Sequence, residues 1–437
     1  MSSVIKRALF QNRLKYLTEV KNRYPEITNP DMIVKRQMER FNQIWGYCYR
    51  TLPFYQGWKE FHHLPERIDQ ISDLKGFPVL TKKVIQENQD RIFQQGRIKK
   101  WVSTGGSTGN PTKFPSDPQD ALLTYADLYT GRSWWGIQPL DVSLLFWGHS
   151  HLFGSGIKGH LKNYKRKLSD FFLNAHRLNA YDMTVDTLKK YYEVYRRSNP
   201  AFILGYTSCV YKLAKYIEEN QLDQGEKNRL KAVIVTSETV TQNDVALLRK
   251  VFSVPVVVEY GMAETGVIGY SYRETWAIKI FWDSFLARIG EDGVFLVSTL
   301  SNRFFPLINY DTNDVVTVKR MHESSVLEIS SIQGRKSEAL KIGTIQRSYL
   351  ELSGILVVHI LKAYPHIFSI QFEQLNSCRI RIHLVADRIL DLNEVKRYFM
   401  KELGKDYKGV DVDCVEILQA KSLLKTLAGK EGLMCLK

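Results

Sequence analysis

Cysteine is scarce in this 437-residue chain, and its scarcity excludes two common ways of stapling a fold. The five cysteines, Cys48, Cys209, Cys378, Cys414 and Cys435, are odd in number and far apart. They form no Cys-x-x-Cys pair and no zinc-ligand spacing, so free thiols in a reducing cytoplasm are expected. Long apolar runs are missing as well. No stretch reaches the roughly 18 residues of a spanning helix, and no transmembrane segment is expected. The first 16 residues scatter Lys6, Arg7, Arg13 and Lys15 among apolar positions, unlike the unbroken core of a signal peptide. Ile5, Leu9, Phe10, Leu14 and Leu17 suit a helix packed on its own domain, and leave a weak membrane-surface contact as the other reading. Blocks of like charge, internal repeats and low-complexity tracts are absent too.

What is present is an ordinary globular composition with a basic balance. Apolar residues are 44% and charged residues 24%, enough for a sizeable core. Lys and Arg number 61 against 46 Asp and Glu, a net +15, which favours polyanionic partners such as nucleotides or coenzyme A. Residues 339–437 hold 15 Lys or Arg and 11 Asp or Glu, so +4 falls there and +11 on the rest. The charge is spread with length. With no zinc-finger or RNP spacing either, nucleic acid is not an expected partner. Aromatics, at 12%, suit either ring-lined pockets or core filling.

The pattern along the chain predicts α/β architecture. The first hundred residues read mainly as helices, with a clear one over 32–50. Strands over 142–147, 201–204, 232–236 and 254–260 alternate with helices over 184–197, 208–219 and 242–251, the rhythm of a largely parallel sheet. Short strands over 293–299, 307–310, 315–318 and 325–332 then suggest a small antiparallel, barrel-like part. After Gly334 a compact α+β unit is expected. It has a helix-like stretch at 348–360, strands over 367–374, 379–385 and 410–417, and a helix over 393–402. The predicted division is a large domain over 1–333, a hinge over 334–341 and a small mobile domain over 342–437.

Five motifs carry chemistry. Residues 103–112, Ser-Thr-Gly-Gly-Ser-Thr-Gly-Asn-Pro-Thr, follow a predicted strand at 99–102. Glycines let backbone N–H groups approach an anion, and the hydroxyls of Ser103, Thr104, Ser107, Thr108 and Thr112 add donors. No Gly-Lys-Ser/Thr closes it, so it is not a Walker loop, and a flexible linker is its bland alternative. Glu259-Tyr260-Gly261-Met262-Ala263-Glu264 ends an apolar strand, where α/β sheets bind ligands. Tyr260 could stack on a base and Glu264 could hold Mg²⁺, or Glu264 could be a solvated turn residue. Tyr310-Asp311-Thr312-Asn313-Asp314 offers a carboxylate for ribose hydroxyls, although Asp and Asn are also common in turns. Gly334-Arg335 offers a cation, and Gly429-Lys430 a lysine on a loop.

Together, in this order, the motifs resemble the adenylate-forming superfamily, above all the phenylacetate–CoA ligase branch and the CapK-like proteins of polysaccharide gene clusters. The resemblance runs from about Arg50 to the C-terminus and includes Gly205-Tyr206-Thr207-Ser208 as a strand-to-helix turn. It implies ATP-dependent formation of an acyl-adenylate and pyrophosphate, then transfer to coenzyme A or another thiol, amine or hydroxyl. It further implies that Thr104, Gly105, Gly106, Ser107, Thr108 and Gly109 cradle phosphates and that Glu264 holds Mg²⁺. Ser237, Glu238, Tyr260 and Gly261 would frame adenine, and Asp314 and Arg335 would hold ribose. Lys430 would bridge carboxylate and α-phosphate, with Ser337 at the hinge position. Trp147, His149, His151 and Tyr206 fall where the acid would lie, beside Trp134, Trp135 and Phe146, unless these rings simply fill the core. The family's Tyr-Arg-Thr-Gly-Asp reads Tyr-Asp-Thr-Asn-Asp here, which keeps open a degenerate, non-catalytic nucleotide binder.

Overall fold

The computed structural model describes residues 10–93, 100–103, 112–147, 157–180, 183–223, 229–238, 240, 242–272, 277–291, 293–301, 304–335, 339–342, 345–348, 363–364, 366–376, 379–386, 388–406, 414–420 and 434–436. Chain packing divides it into two compact units, a larger one that includes Thr112–Thr312 and a smaller one that includes Asn313–Val316 and Ile332–Lys437. Each is described by itself.

Three helices open the larger unit: α1 (Gln11–Glu26), α2 (Pro30–Thr51) and α3 (Pro53–Phe61). Asn29 caps α2 by accepting from Asp31 N at 2.8 Å, and Pro30 takes the first helical position, where its missing N–H costs nothing. From α2, Ile33, Val34, Gln37, Phe41, Ile44, Trp45 and Cys48 recur at helical spacing and are buried. On α1 the buried residues are Leu17, Val20 and Tyr24, so its described apolar face packs on the protein. Residues 1–9, with Ile5 and Leu9, lie outside the described residues.

A short helix α4 (Lys82–Glu87) precedes the antiparallel pair β1 (Lys100–Ser103) and β2 (Lys113–Ser116). Helix α5 (Pro118–Ser133) is capped by Asp117, which accepts from Gln119 N and Asp120 N. Then come β3 (Ser143–Phe146), α6 (Ile157–Phe172), β4 (Ala175–Leu178), α7 (Val185–Ser198), β5 (Phe202–Tyr206), α8 (Thr207–Glu219), β6 (Ala232–Thr236), α9 (Gln242–Phe252) and β7 (Val256–Met262). The later strands are β8 (Gly266–Ser271), β9 (Ile278–Ile280), β10 (Phe285–Ile289), β11 (Val294–Thr299), β12 (Tyr310–His322) and β13 (Ser325–Arg335).

All of these from β3 onward join one eleven-stranded sheet in the order β10-β11-β12-β13-β9-β8-β7-β6-β5-β3-β4. Its β4-β3-β5-β6-β7 half is parallel, and the β7–β8, β8–β9, β9–β13 and β10–β11 pairs are antiparallel. Every residue of β5 and β6 is buried, because helices cover both faces of a parallel sheet. The antiparallel strands thus continue the parallel sheet edge to edge.

Two expectations change in detail. Residues 307–309 are not strand: Asn309 takes a left-handed φ of 54°, and β12 starts only at Tyr310, then runs unbroken through 315–318. Ser348, expected to open a helix, ends a strand, and residues 349–362 lie outside the described residues.

In the smaller unit, β14 (Ala339–Ile342) and β15 (Ile345–Ser348) pair antiparallel. A second sheet has the order β18-β17-β16-β19, from β16 (Ile367–Gln374), β17 (Ile380–Ala386), β18 (Val415–Gln419) and β19 (Met434–Leu436). Alternate residues Ile370, Phe372, Ile380, Ile382 and Leu384 pack with Val395 and Phe399 of α10 (Leu392–Asp406) to form its core. Among the described residues, no helix is long and apolar enough to cross a membrane.

Candidate active site

Parallel pairing aligns the carboxyl ends of four strands. Phe146 of β3 is opposite Gly205 of β5, Tyr206 is opposite Thr236 of β6, and Thr236 is opposite Glu259 of β7. The residues that follow each strand therefore emerge along one edge, the place where open α/β sheets bind ligands. Trp147, Tyr206, Ser237, Glu238, Tyr260, Gly261 and Glu264 all stand on this edge. Trp147 and Tyr206 meet directly, with ring centroids 5.3 Å apart. Tyr206 is buried and Trp147 half-buried, so the pair forms a wall with one accessible ring.

The turn from β5 to α8 is immediate: the strand ends at Tyr206 and the helix starts at Thr207. Glu238 reaches across from the end of β6, accepting from Ser208 N at 2.8 Å and Ser208 Oγ at 3.2 Å. A carboxylate so placed satisfies the first-turn N–H and complements the positive end of the helix. Its neighbour Ser237 is exposed and sits at φ 66°. Tyr260 is 6% exposed, with its ring centroid 6.1 Å from that of Phe295.

Glu264 is carried on the tight turn between β7 and β8, and two glycines make that turn fit. A Cβ on Gly261 would lie 2.5 Å from Gly266 O; one on Gly266, itself at φ 74°, would lie 2.7 Å from Thr124 Oγ1. The Glu264 Oε1 accepts from the Tyr310 hydroxyl at 2.7 Å, leaving Oε2 without a partner among the described residues. Tyr310 is held in turn by Asn309, whose Oδ1 accepts from Arg288 Nε at 2.9 Å. Asn309 Nδ2 donates to Phe77 O and Pro78 O at 2.9 and 3.1 Å. Sequence reasoning passed over both. Tyr310 had a signal, since it opens the Tyr-x-Thr-x-Asp motif; Asn309 had none.

Behind Tyr260 lies a buried ionic group that the motifs also did not reveal. Adjacent strand residues face opposite ways, and Glu259 points to α5. It accepts from the Tyr270 hydroxyl and lies 3.8 Å from Arg132, whose guanidinium also covers the Phe202 ring at 4.8 Å. Burial pushes the Glu259 carboxyl above the usual range, and Arg132 and Tyr270 offset only part of that.

In the smaller unit, Asp314 and Arg335 come together, Nε to Oδ1 at 3.9 Å, with Asp314 buried and Arg335 exposed. Asn313 has φ 60°, where glycine is favoured and asparagine is among the few other residues that fit comfortably. Asparagine thus keeps a backbone conformation that glycine would otherwise favour. Thr104, Gly105, Gly106, Ser107, Thr108, Gly109, His149, His151 and Lys430 lie outside the described residues, as does Ser337. The segment that holds the first six is bracketed by β1 and β2, with Ser103 opposite Lys113 and Thr112 Oγ1 accepting from Gln86 Nε2 at 2.6 Å.

The donor set suits a hard cation. Glu264 supplies a partly exposed carboxylate with one oxygen unengaged, and Mg²⁺ is usually held by one or two carboxylates plus substrate phosphates.

No family model matches the chain. Protein CapK of Staphylococcus aureus is 22% identical over 380 residues, covering 84% of this chain and 81% of that protein. Phenylacetate-coenzyme A ligase of Escherichia coli (strain K12) is 22% identical over 341 residues, 72% of this chain and 74% of that one. Among solved structures, 2-hydroxyisobutyryl-CoA ligase in its postadenylation state with 2-HIB-AMP superimposes with a TM-score of 0.68 at 15% identity, covering 92% of this chain and 89% of that chain. The amide bond synthetase McbA from Marinactinospora thermotolerans gives a TM-score of 0.51 at 14% identity, over 78% of this chain and 68% of that chain.

Proposed function

We propose that this chain, which has the fold of the adenylate-forming ligases and is similar in sequence to CapK and phenylacetate–CoA ligase, activates a carboxylic acid with ATP. The products of the first step are an acyl-adenylate and pyrophosphate. The acyl group then passes to coenzyme A or to another thiol, amine or hydroxyl. The observation that carries this reading is the hydrogen bond from Tyr310 to Glu264, which joins two separate motifs at the carboxyl edge of the sheet.

Charge builds up at the α-phosphate as the carboxylate attacks, so the site needs positioned cations and donors. We assign Thr104, Gly105, Gly106, Ser107, Thr108 and Gly109 to the phosphates and Lys430 to the space between carboxylate and α-phosphate. Glu264 would hold Mg²⁺, which supplies neutralisation of phosphate charge. Ser237, Glu238, Tyr260 and Gly261 frame adenine, and Asp314 with Arg335 takes the ribose hydroxyls. Trp147 and Tyr206, with His149 and His151, line the acid site. Residues 334–341 serve as the hinge on which the small domain, 342–437, brings Lys430 in and withdraws it. We further propose a cytoplasmic setting, in keeping with five scattered cysteines, and a role in polysaccharide biosynthesis.

The test is ATP–pyrophosphate exchange across a panel of carboxylic acids. Exchange is expected with at least one acid, abolished in Lys430→Ala and reduced about a hundredfold in Glu264→Gln. Formation of ADP in place of AMP and pyrophosphate overturns the reading. Nucleotide binding with no exchange for any acid favours the degenerate relative.

A further inference from the structure

A glutamate on a turn samples many rotamers, and that freedom must be given up whenever the carboxylate binds something. At Glu264 part of it is already removed, because the Tyr310 hydroxyl donates to Oε1 at 2.7 Å. Tyr310 is itself immobile. Its side chain is 2% exposed, so the ring cannot swing aside without displacing its packing. Its backbone is bracketed by Leu80, whose N donates to Asn309 O at 3.1 Å and whose O accepts from Asp311 N at 3.0 Å. Asn309 N donates in addition to Ser298 Oγ at 2.8 Å.

Asn309 is the pivot of this support. It is 1% exposed, and its amide is engaged at both ends, by Arg288 on one side and by Phe77 O and Pro78 O on the other. Arg288 is anchored in turn, donating to Leu74 O at 3.2 Å. The contacts Arg288–Asn309–Tyr310–Glu264 thus form one relay inside the larger unit. Its last link is neutral. Asp314 faces Arg335 and Asp283 faces three arginines, yet Glu264 has no ion-pair partner among the described residues of a chain that carries +15. An arginine would orient the carboxylate and cancel its charge together. A hydroxyl orients it and leaves the charge for an incoming cation.

We propose, resting on the assignment of Glu264 to Mg²⁺, that Tyr310 is a positioning residue for that metal ligand. It holds Oε1 and leaves Oε2 as the oxygen for the cation, while Asn309 and Arg288 keep Tyr310 in place. Hydrogen bonds to a ligating carboxylate fix its orientation before the metal arrives, and losing one typically weakens metal affinity about tenfold or more. Tyr310 touches neither nucleotide nor acid in this scheme, so its effect is confined to the metal.

The experiment titrates the full chain into Mn²⁺ with α,β-methylene-ATP and follows water-proton relaxation, which reports the ternary complex whether or not any acid is activated. Tyr310→Phe, which removes only the hydroxyl, should weaken Mn²⁺ binding about tenfold, while binding of the metal-free analogue in EDTA stays unchanged. Tyr55→Phe is the matched control. It deletes another buried tyrosine hydroxyl, one that donates to Pro306 O at 2.8 Å, and should leave Mn²⁺ binding as in the parent. Should Tyr310→Phe fail to fold, Asn309→Gly keeps the left-handed backbone, removes the side-chain anchors and should weaken Mn²⁺ binding severalfold. The proposal is overturned if the parent binds no Mn²⁺ with the analogue, or if Tyr310→Phe binds it as tightly as the parent. It is overturned too if Tyr55→Phe loses as much, or if metal-free binding falls in parallel. ATP–pyrophosphate exchange is read separately: its absence with every acid sinks the ligase reading, and the Mn²⁺ titration still decides the part played by Tyr310.

Discussion

Two buried carboxylates show how differently the same group is treated in two parts of the larger unit. Asp283, just before β10, is 3% exposed and faces three guanidinium groups, those of Arg23 on α1 and Arg36 and Arg40 on α2. Burial by itself would raise its pKa; the charge of Arg40 and hydrogen bonds from Arg40, Arg36 and Arg23 outweigh this and lower it to about 2. Glu259 on β7 is 7% exposed and has one distant Arg132 and one neutral donor, Tyr270, and there burial wins. Burial is similar, so the number and closeness of cations decide the sign. Asp283 ties the N-terminal helices to the sheet. Glu259 is a reluctant anion directly behind Tyr260 at the candidate site.

The strongest way to break this contrast is to remove the charge at Asp283. Asp283→Asn strands three arginines and should cost about 3–5 kcal/mol of stability in urea unfolding, while Glu259→Gln should cost about 1–2. An equal loss in both would erase the distinction. Acid titration sharpens it next. A depressed folded pKa gives stability that is present above the unfolded value of about 3.9 and lost as pH falls towards 2, worth about 2.5 kcal/mol. The raised Glu259 pKa acts in the opposite sense, with stability declining as pH rises from about 4, so Glu259→Gln should flatten that slope.

A steric probe follows. A Cβ at Gly131 of α5 would lie 2.4 Å from Tyr270 Cδ2, so Gly131→Ala should displace the ring that donates to Glu259 and cost about 2 kcal/mol. Its thermal midpoint should fall although alanine is the better helix former. The smallest effect belongs to Asn313→Gly. The left-handed φ of 60° suits both residues, so stability should change by less than about 0.5 kcal/mol. A larger change would mean that the Asn313 side chain has a separate task.

What could be read in advance follows the same division. Strands β5, β6 and β7 were legible to within two residues because each is a short apolar run between amphipathic helices. The likeness to CapK and phenylacetate–CoA ligase, visible in five ordered motifs, is borne out over most of the chain. Helix α5 escaped because it buries polar residues as well as apolar ones. Asp120, Asp127, Thr130 and Arg132 are all inside. Asp120 accepts from Phe304 N, Asp127 accepts from Ser284 Oγ, and Arg132 lies beside Glu259. Partners so distant in sequence leave no periodic trace. The same holds for Asp283 and for Asn309, whose importance comes from residues more than two hundred positions away. Motif residues announce a site; the residues that hold it in place do not.

One such support bears on how a polyphosphate can be received. The amino end of a helix is a ready dock for phosphate, since its free N–H groups and dipole favour an anion. At α8, where β5 leads straight into the helix, that dock already has an occupant: the carboxylate of Glu238. An incoming phosphate would have to evict a tethered anion and bear its repulsion. The seat at α8 is therefore reserved, and under the proposed function the triphosphate would need another one, the role proposed for the glycine- and hydroxyl-rich loop. Freeing it with Glu238→Ala should open a weak second site for inorganic phosphate or sulfate, readable as a chemical-shift change at the Ser208 amide.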